Sequence, residues 1–218
     1  MHRYLPFIIV GTVAALTLAG GTILYRAKRP SLLTITAQRS AEGPGSLHAL
    51  GPADAPVTLE EFGDFQCPPC GALSEPLNQL AHDFPRLRII FRHFPLAVHQ
   101  HAMDAALAAE AAGMQGRFWQ MHDILYRDQA IWSQSTDVRG LFSSYAGMLG
   151  LKLDRFQKDM TSNEATERIK SDQREAGKLQ VTNTPTIFLN NRAVPPASFN
   201  ATDLRRAVEA AMKEASPH

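Results

Sequence analysis

Only two of the 218 residues are cysteine, Cys67 and Cys70, and they stand three apart. With no third thiol in the chain, any internal disulfide must join this pair. A bridge across two residues removes little entropy from the unfolded chain, so it is not a structural staple. The spacing is that of a dithiol that opens and closes during chemistry, or of half a metal site. Charge of one sign is not in excess either: 22 Lys and Arg stand against 21 Asp and Glu, a net of +1. No basic run is interleaved with aromatics, which argues against a nucleic-acid partner. The sequence has no Gly-x-Ser-x-Gly elbow and no Gly-rich phosphate loop, so hydrolase and nucleotide chemistry lack support. Internal repeats and low-complexity runs are missing as well.

One stretch lacks charge altogether. From Leu5 to Tyr25 no charged side chain occurs, and as a helix these residues would span about 32 Å, enough for the hydrocarbon core of a bilayer. A cleaved signal has an apolar region of roughly 7–15 residues, and the nearest small-x-small site is only Thr17-Leu18-Ala19. Residues 1–29 therefore read as an uncleaved signal anchor in preference to a cleaved signal. A buried core helix fits poorly, because the stretch has no polar face and ends in Arg26, Lys28 and Arg29. Those cations, set against Arg3 and the amino terminus on the other side, would keep the C-terminal domain in the cytoplasm. A lone dithiol, in contrast, belongs in an oxidising compartment. Giving the second argument precedence places the domain outside the cytoplasm, in a periplasm or at the cell exterior, and secreted if the anchor is cleaved.

Residues 30–50 read as a linker, most flexible at Ala41-Glu42-Gly43-Pro44-Gly45-Ser46. Folded chain is expected from near Leu47, with the domain boundary drawn at 51–215 by the turn cluster Gly51 to Pro56. Val57 to Phe62 and Arg86 to Phe91 have strand character, and Gly71 to Phe84 between them has helical spacing. Helices are predicted over His101–Ala112, Phe118–Tyr126, Val138–Leu149, Leu153–Thr161 and Asn163–Lys178. Strand character returns at Thr186–Leu189 and, after an Asn190-Asn191-Arg192 turn, at Ala193-Val194. A last amphipathic helix covers Thr202–Glu214. The order is a β-α-β unit, a helical insertion at about 98–180 and a β-β-α unit, an α/β arrangement with a mixed sheet.

Cys67-Pro68-Pro69-Cys70 falls at a strand-to-helix turn. Cys67 would cap the helix with its sulfur exposed and act as nucleophile; Cys70, one turn in and more buried, would resolve the mixed disulfide. Pro68 suits the first helical position, where an N–H is not needed. Pro69 removes a second amide that could have faced a Cys67 thiolate, which limits what the helix end contributes.

Glu61-Phe62-Gly63-Asp64-Phe65-Gln66-Cys67-Pro68-Pro69-Cys70 resembles the active-site signature of the DsbA-like branch of the thioredoxin superfamily. Arg92-His93-Phe94-Pro95-Leu96, Ala105-Ala106, Gly116-Arg117-Phe118-Trp119 and Thr182-Asn183-Thr184-Pro185-Thr186-Ile187-Phe188 follow in the family's order, so the resemblance covers roughly residues 50–213. It implies a thioredoxin fold with a helical insertion, preceded here by the N-terminal apolar helix, and thiol–disulfide oxidoreductase activity without a cofactor. It also implies that Pro185 is cis and leaves the Thr184 backbone to pair with an extended substrate beside Cys67, with Pro68 and Pro69 on the same binding surface. Glu61 would lie beneath the site and exchange a proton with Cys70. Strand alternation puts Glu60 and Glu61 on opposite faces, so only one of them can do so. Pro69 stands where strongly oxidising relatives often carry histidine, which points to an intermediate couple.

The function expected is disulfide exchange with protein thiols, in the donor direction, by a monomer held at the membrane and reoxidised by a quinone-linked membrane partner. A reductase, for instance in cytochrome maturation, is the alternative within enzymes; a thiolate carrier of copper or zinc is the alternative outside them, disfavoured by the want of further cysteines or a Met-rich tract. His93, His99 and His101 read as surface or capping histidines and not as metal ligands. Phe118, Trp119 and Tyr126 read as core of the insertion. Asn200-Ala201-Thr202 fits a glycosylation sequon, a frequent chance match.

Overall fold

The computed structural model describes residues 48–215. The expected anchor at 1–29 and most of the linker lie outside the described residues. Among those described, no helix is long and apolar enough to cross a membrane. In chain order the elements are β1 (Ala49–Leu50), β2 (Val57–Gly63), α1 (Pro68–Asp83), β3 (Leu87–His93), α2 (Ala102–Gly113), α3 (Phe118–Arg127), α4 (Gln129–Trp132), α5 (Val138–Met148), α6 (Leu153–Asp159), α7 (Asn163–Lys178), β4 (Thr186–Leu189), β5 (Arg192–Ala193) and α8 (Ala201–Glu214). The strands form one sheet in the order β1-β3-β2-β4-β5, with β2 and β3 parallel and the other pairs antiparallel. This is the mixed α/β sheet expected from the element order, with the helical insertion between β3 and β4, as the family resemblance implies for a thioredoxin fold.

The linker reading ends too late. Ala49 and Leu50 pair with Ile90 and Ile89, and His48 before them is buried. Two residues of strand carry no periodicity, so they leave no pattern to read. At the other boundary α1 begins at Pro68 with Cys67 as its cap, as the proline chemistry implied, three residues before the helical spacing that starts at Gly71. The ring fixes φ near the helical value and needs no N–H there, so the helix starts before its apolar stripe does.

Side-chain alternation divides the sheet into two faces. Leu59 and Glu61 of β2 lie in register with Ile89 and Phe91 of β3, and Glu61 with Ile187 of β4. This face packs against Leu73, Leu77 and Leu80 of α1 and Leu204 and Val208 of α8. On the reverse face Phe62 and Phe188 pack with Ala176, Leu179 and Val181. Within the insertion, α2 is buried all round through Ala105, Ala106, Ala108, Ala109, Ala111 and Ala112. A helix apolar on every side belongs in the interior, and small side chains let its neighbours approach closely. Polar caps set three of the later helix starts: Ser162 accepts from the Ala165 N–H (3.1 Å), Asp137 from Gly140 (2.9 Å) and Asn200 from Asp203 (3.0 Å). Asn200, the sequon residue, is thus engaged as a helix cap.

Candidate active site

The chain leaves β2 at Gly63 and turns into α1 through Asp64-Phe65-Gln66-Cys67. Cys67 caps the helix with φ −78° and ψ 117°; its N–H donates to the Asp64 carbonyl (3.0 Å), and the Gly71 N–H donates to the Cys67 carbonyl (3.1 Å). Pro68 and Pro69 have no N–H, so the first amide of the helix is that of Cys70, and it is directed at the Cys67 sulfur. The buried Asp64 carboxylate ties the turn together, accepting from the N–H of Gln66 (2.7 Å) and of Leu96 (2.9 Å) and pairing with His99 Nδ1 (2.7 Å). Gln66 Oε1 accepts from the His101 N–H (2.6 Å). From the insertion, Gln129 Nε2 donates to the carbonyls of Phe65 (2.6 Å) and Cys67 (3.0 Å).

Both cysteines are free thiols. Their environments push them apart. Cys67 is lowered to about 6, chiefly by the hydrogen bond from the Cys70 thiol, against desolvation, with help from the Thr184 side chain and the Cys70 amide. Cys70 is raised far above an ordinary thiol by burial, by the same hydrogen bond and by the nearness of Glu61. The expected ranking of the two sulfurs thus reappears, but Cys67 is not open: it is 4% exposed against 0% for Cys70. Its S–H donates to the Thr184 carbonyl (3.4 Å), and the loop holding that carbonyl covers the sulfur.

The Thr184–Pro185 bond is cis, and the Thr184 carbonyl lies beside Cys67. Pro68 and Pro69 are exposed at the start of the helix. Glu61 lies on the sheet face that α1 covers, buried, and is raised to about 8 by desolvation and then by Cys67. Glu60 lies on the reverse face, paired with Arg92, whose Nη1 also donates to Asp172 of α7 (2.9 Å). Asp172 Oδ2 accepts from the His93 N–H (3.0 Å). The structure thereby settles which carboxylate faces the dithiol side: Glu61 belongs to it, Glu60 to a buried ion cluster on the far face.

The histidines depart from expectation. His93 is buried, not on the surface, because it sits on the inner face of β3. Its Nε2 is 3.0 Å from Glu110 Oε1, which His48 Nε2 also meets at 2.7 Å, while Arg168 stands 3.5 Å from the other oxygen. Burial alone would raise Glu110, but hydrogen bonds from His48 and His93 outweigh it and hold the carboxyl below the usual range. Donor atoms of His48, His93 and Glu110 lie within 4.8 Å of one another, near enough to share an ion. Both imidazoles, however, are aimed at one carboxylate oxygen with a guanidinium behind the other, the arrangement of an ion cluster locking β1 to α2. His99 pairs through its ring with Asp64, whereas His101 stands at the N-cap position of α2 and meets Gln66 through its backbone N–H, not its ring.

Gln129, Asp64 and Tyr126 are site residues that pattern reading does not single out. Gln129 belongs to a four-residue helix too short for periodicity. Tyr126 reads as insertion core from its spacing, and it is buried, but its ring meets Phe65 (4.9 Å) under the dithiol. Asp64 belongs to the stretch Glu61–Cys70, in which its residue type alone assigns it no role.

Comparison with known proteins places this geometry in a lineage. The family described as thioredoxin matches residues 44–210. A thioredoxin-like oxidoreductase from Silicibacter pomeroyi is 28% identical with a TM-score of 0.66, covering 78% of this chain and 94% of its own. DsbA2 of Pseudomonas aeruginosa is 28% identical with a TM-score of 0.60, over 79% and 98%. Oxidised BdbD from Bacillus subtilis shares the fold at 24% identity, with a TM-score of 0.66 over 76% and 92%. Among curated sequences, a Na(+)/H(+) antiporter NhaA 1 of Salinispora arenicola is 42% identical over 165 residues, 75% of this chain and 24% of that protein. The chain thus spans about a quarter of the length of such relatives.

Proposed function

From the chain's membership of the thioredoxin family, in its DsbA-like branch of thiol–disulfide oxidoreductases, we propose that it donates disulfides to protein thiols outside the cytoplasm. The observation that carries this reading is the asymmetry of the pair: Cys67 held near 6, Cys70 pushed up and buried. A stabilised Cys67 thiolate favours the reduced form and so makes the disulfide the better oxidant.

In the donor direction a substrate thiolate attacks Cys67 Sγ, and the Cys67–Cys70 bond breaks. Cys70 leaves as a thiolate and takes the proton of the Glu61 carboxyl. A second substrate thiolate attacks the substrate sulfur of the mixed disulfide and Cys67 departs as a thiolate. Two electrons have passed from substrate to protein, and a quinone-linked membrane partner would remove them. The Thr184 backbone beside Cys67 would pair with the extended substrate, and Pro68 and Pro69 would contact it. The protein works as a monomer.

Location at the membrane is supported by the uncharged stretch from Leu5 to Tyr25, and location outside the cytoplasm by the lone dithiol, which suits an oxidising compartment. The match to part of longer proteins named as antiporters agrees with a domain working at a membrane. Antiport itself is not carried over, since only about a quarter of those proteins is matched. A glutathione redox titration of the Cys67–Cys70 couple tests the direction. A potential between about −270 and −120 mV is expected. A value at or below about −270 mV, that of thioredoxin, would replace the donor with the reductase.

A further inference from the structure

We propose that Gln129 is a positioning residue for the Cys67 nucleophile: from the helical insertion it supplies the active-site turn with the backbone donor that Pro68 and Pro69 cannot supply. The inference rests on the disulfide-exchange reading of the Cys67–Cys70 pair.

A carbonyl at a turn into a helix normally accepts from the N–H three or four residues on. For Phe65 those residues are Pro68 and Pro69, and neither has an N–H. The Phe65 carbonyl would be left without a local donor, at a cost comparable to a lost hydrogen bond. Gln129 fills the gap. Its Nε2 donates to the Phe65 carbonyl (2.6 Å) and to the Cys67 carbonyl (3.0 Å). The Cys67 carbonyl also accepts from the Gly71 N–H (3.1 Å), so one side-chain amide ties the turn to the start of α1. Gln129 Oε1 lies against Gly71, where an added Cβ would stand 2.9 Å from it. The amide has a fixed base. Trp132, at the far end of α4, is fully buried, donates from Nε1 to the Leu125 carbonyl (2.6 Å) and packs against the Phe142 ring at 5.4 Å.

Cys67 owes its reactivity to where its sulfur stands. The sulfur meets the Thr184 carbonyl at 3.4 Å, and the thiol and amide of Cys70 are directed at it. Hydrogen bonds weaken steeply as their angle and distance degrade. The direction of the sulfur follows from the Cys67 backbone, and Gln129 holds that backbone by the carbonyl of Cys67 itself and by that of Phe65 before it. The ionisable groups facing Cys67 are Cys70 on α1, Asp64 in the turn and Glu61 on β2. Gln129 adds no charge to this set. Its two hydrogen bonds go to the backbone, so it acts on the thiolate, and on the approach of Cys70, through position.

The test uses the reduced full chain. Gln129→Met keeps the length of the side chain and loses the donor, whereas Gln129→Ala loses both. The pH midpoint of Cys67 alkylation by iodoacetamide should rise from about 6 by about half a unit to one unit in each. With oxidised glutathione, Cys67 takes one glutathione sulfur and releases the other as a thiolate. Cys70 then attacks Cys67 Sγ, the Cys67–Cys70 bond closes, and the second glutathione leaves with the proton that Cys70 has lost. Acid quench and mass spectrometry should show Gln129→Met resolving this mixed disulfide about threefold to tenfold more slowly, because Cys70 meets a less fixed target. A Gln129→Met midpoint equal to that of the wild type overturns the proposal, even where urea unfolding shows a loss of stability, since Gln129 would then only brace the turn. A midpoint moved in Gln129→Ala alone overturns it too, in favour of packing against Gly71. Failure of the wild type to form any mixed disulfide removes the exchange reading, while the alkylation midpoints still decide for or against Gln129.

Discussion

Replacing Glu61 by glutamine should make the reduced protein more stable as the pH rises. Burial and then Cys67 raise the Glu61 carboxyl from 4.5 to about 8. A raised pKa means that the group's contribution is fully present below the unfolded value and is lost as pH climbs toward the folded one. Wild type therefore loses up to about 1.4 kcal/mol per pH unit across this window, roughly 3 kcal/mol by pH 7 and about 5 kcal/mol above pH 8, both ceilings. Glutamine does not titrate. It carries a pH-independent penalty of about 1–3 kcal/mol for a buried amide without a partner, so the slope and not the offset is diagnostic. Urea unfolding of both reduced proteins at pH 5, 6, 7 and 8 measures it. The difference should grow steadily in favour of Glu61→Gln, and the same variant should exchange disulfides more slowly. A stability difference that is flat with pH would refute the burial argument and with it the placing of Glu61 as the proton partner of Cys70.

Three further outcomes follow from the same geometry. In Cys70→Ala the largest stabiliser of the Cys67 thiolate is gone, so the midpoint of iodoacetamide alkylation should rise from about 6 by one to two pH units; an unchanged midpoint would show that the Cys70 amide and Thr184 suffice. Gln129→Ala removes two hydrogen bonds to the active-site turn, and should cost about 1–2 kcal/mol in denaturant unfolding and quicken amide exchange at Gly71. Arg92→Met removes the guanidinium that pairs with the buried carboxylates of Glu60 and Asp172. A loss of about 3–5 kcal/mol at pH 7 is expected, shrinking as the pH falls, because burial raises Asp172 and a protonated carboxyl needs no counter-ion; a loss independent of pH would count against the ion cluster.

Much of the fold is legible along the chain, because regular elements repeat their burial locally. The stretch Asn163–Lys178 shows its helix through Ala165, Ile169, Asp172 and Ala176, and Leu87, Ile89, Phe91 and His93 alternate as a strand must. Where an element is too short to repeat, as at Ala49–Leu50 or Gln129–Trp132, no pattern exists to find. Polar residues on an inner face are the other blind spot. His93 looks like a surface residue because nothing near it in sequence reveals Glu110.

For the site, the sequence by itself determined that two thiols three apart open a helix after a strand, since spacing and proline chemistry are local properties. It also determined that Glu60 and Glu61 must part company, because alternation along a strand is local too. Tertiary structure alone decided which of the two faces the dithiol, since that depends on which side of the sheet α1 and the Arg92–Asp172 pair come to cover. Tertiary structure also brought Thr184, from 117 residues away, over the Cys67 sulfur and set the Gln129 amide against the Phe65 and Cys67 carbonyls. Those contacts join segments far apart in the chain, and the fields that separate the two thiols arise only when the segments have packed and water has been excluded.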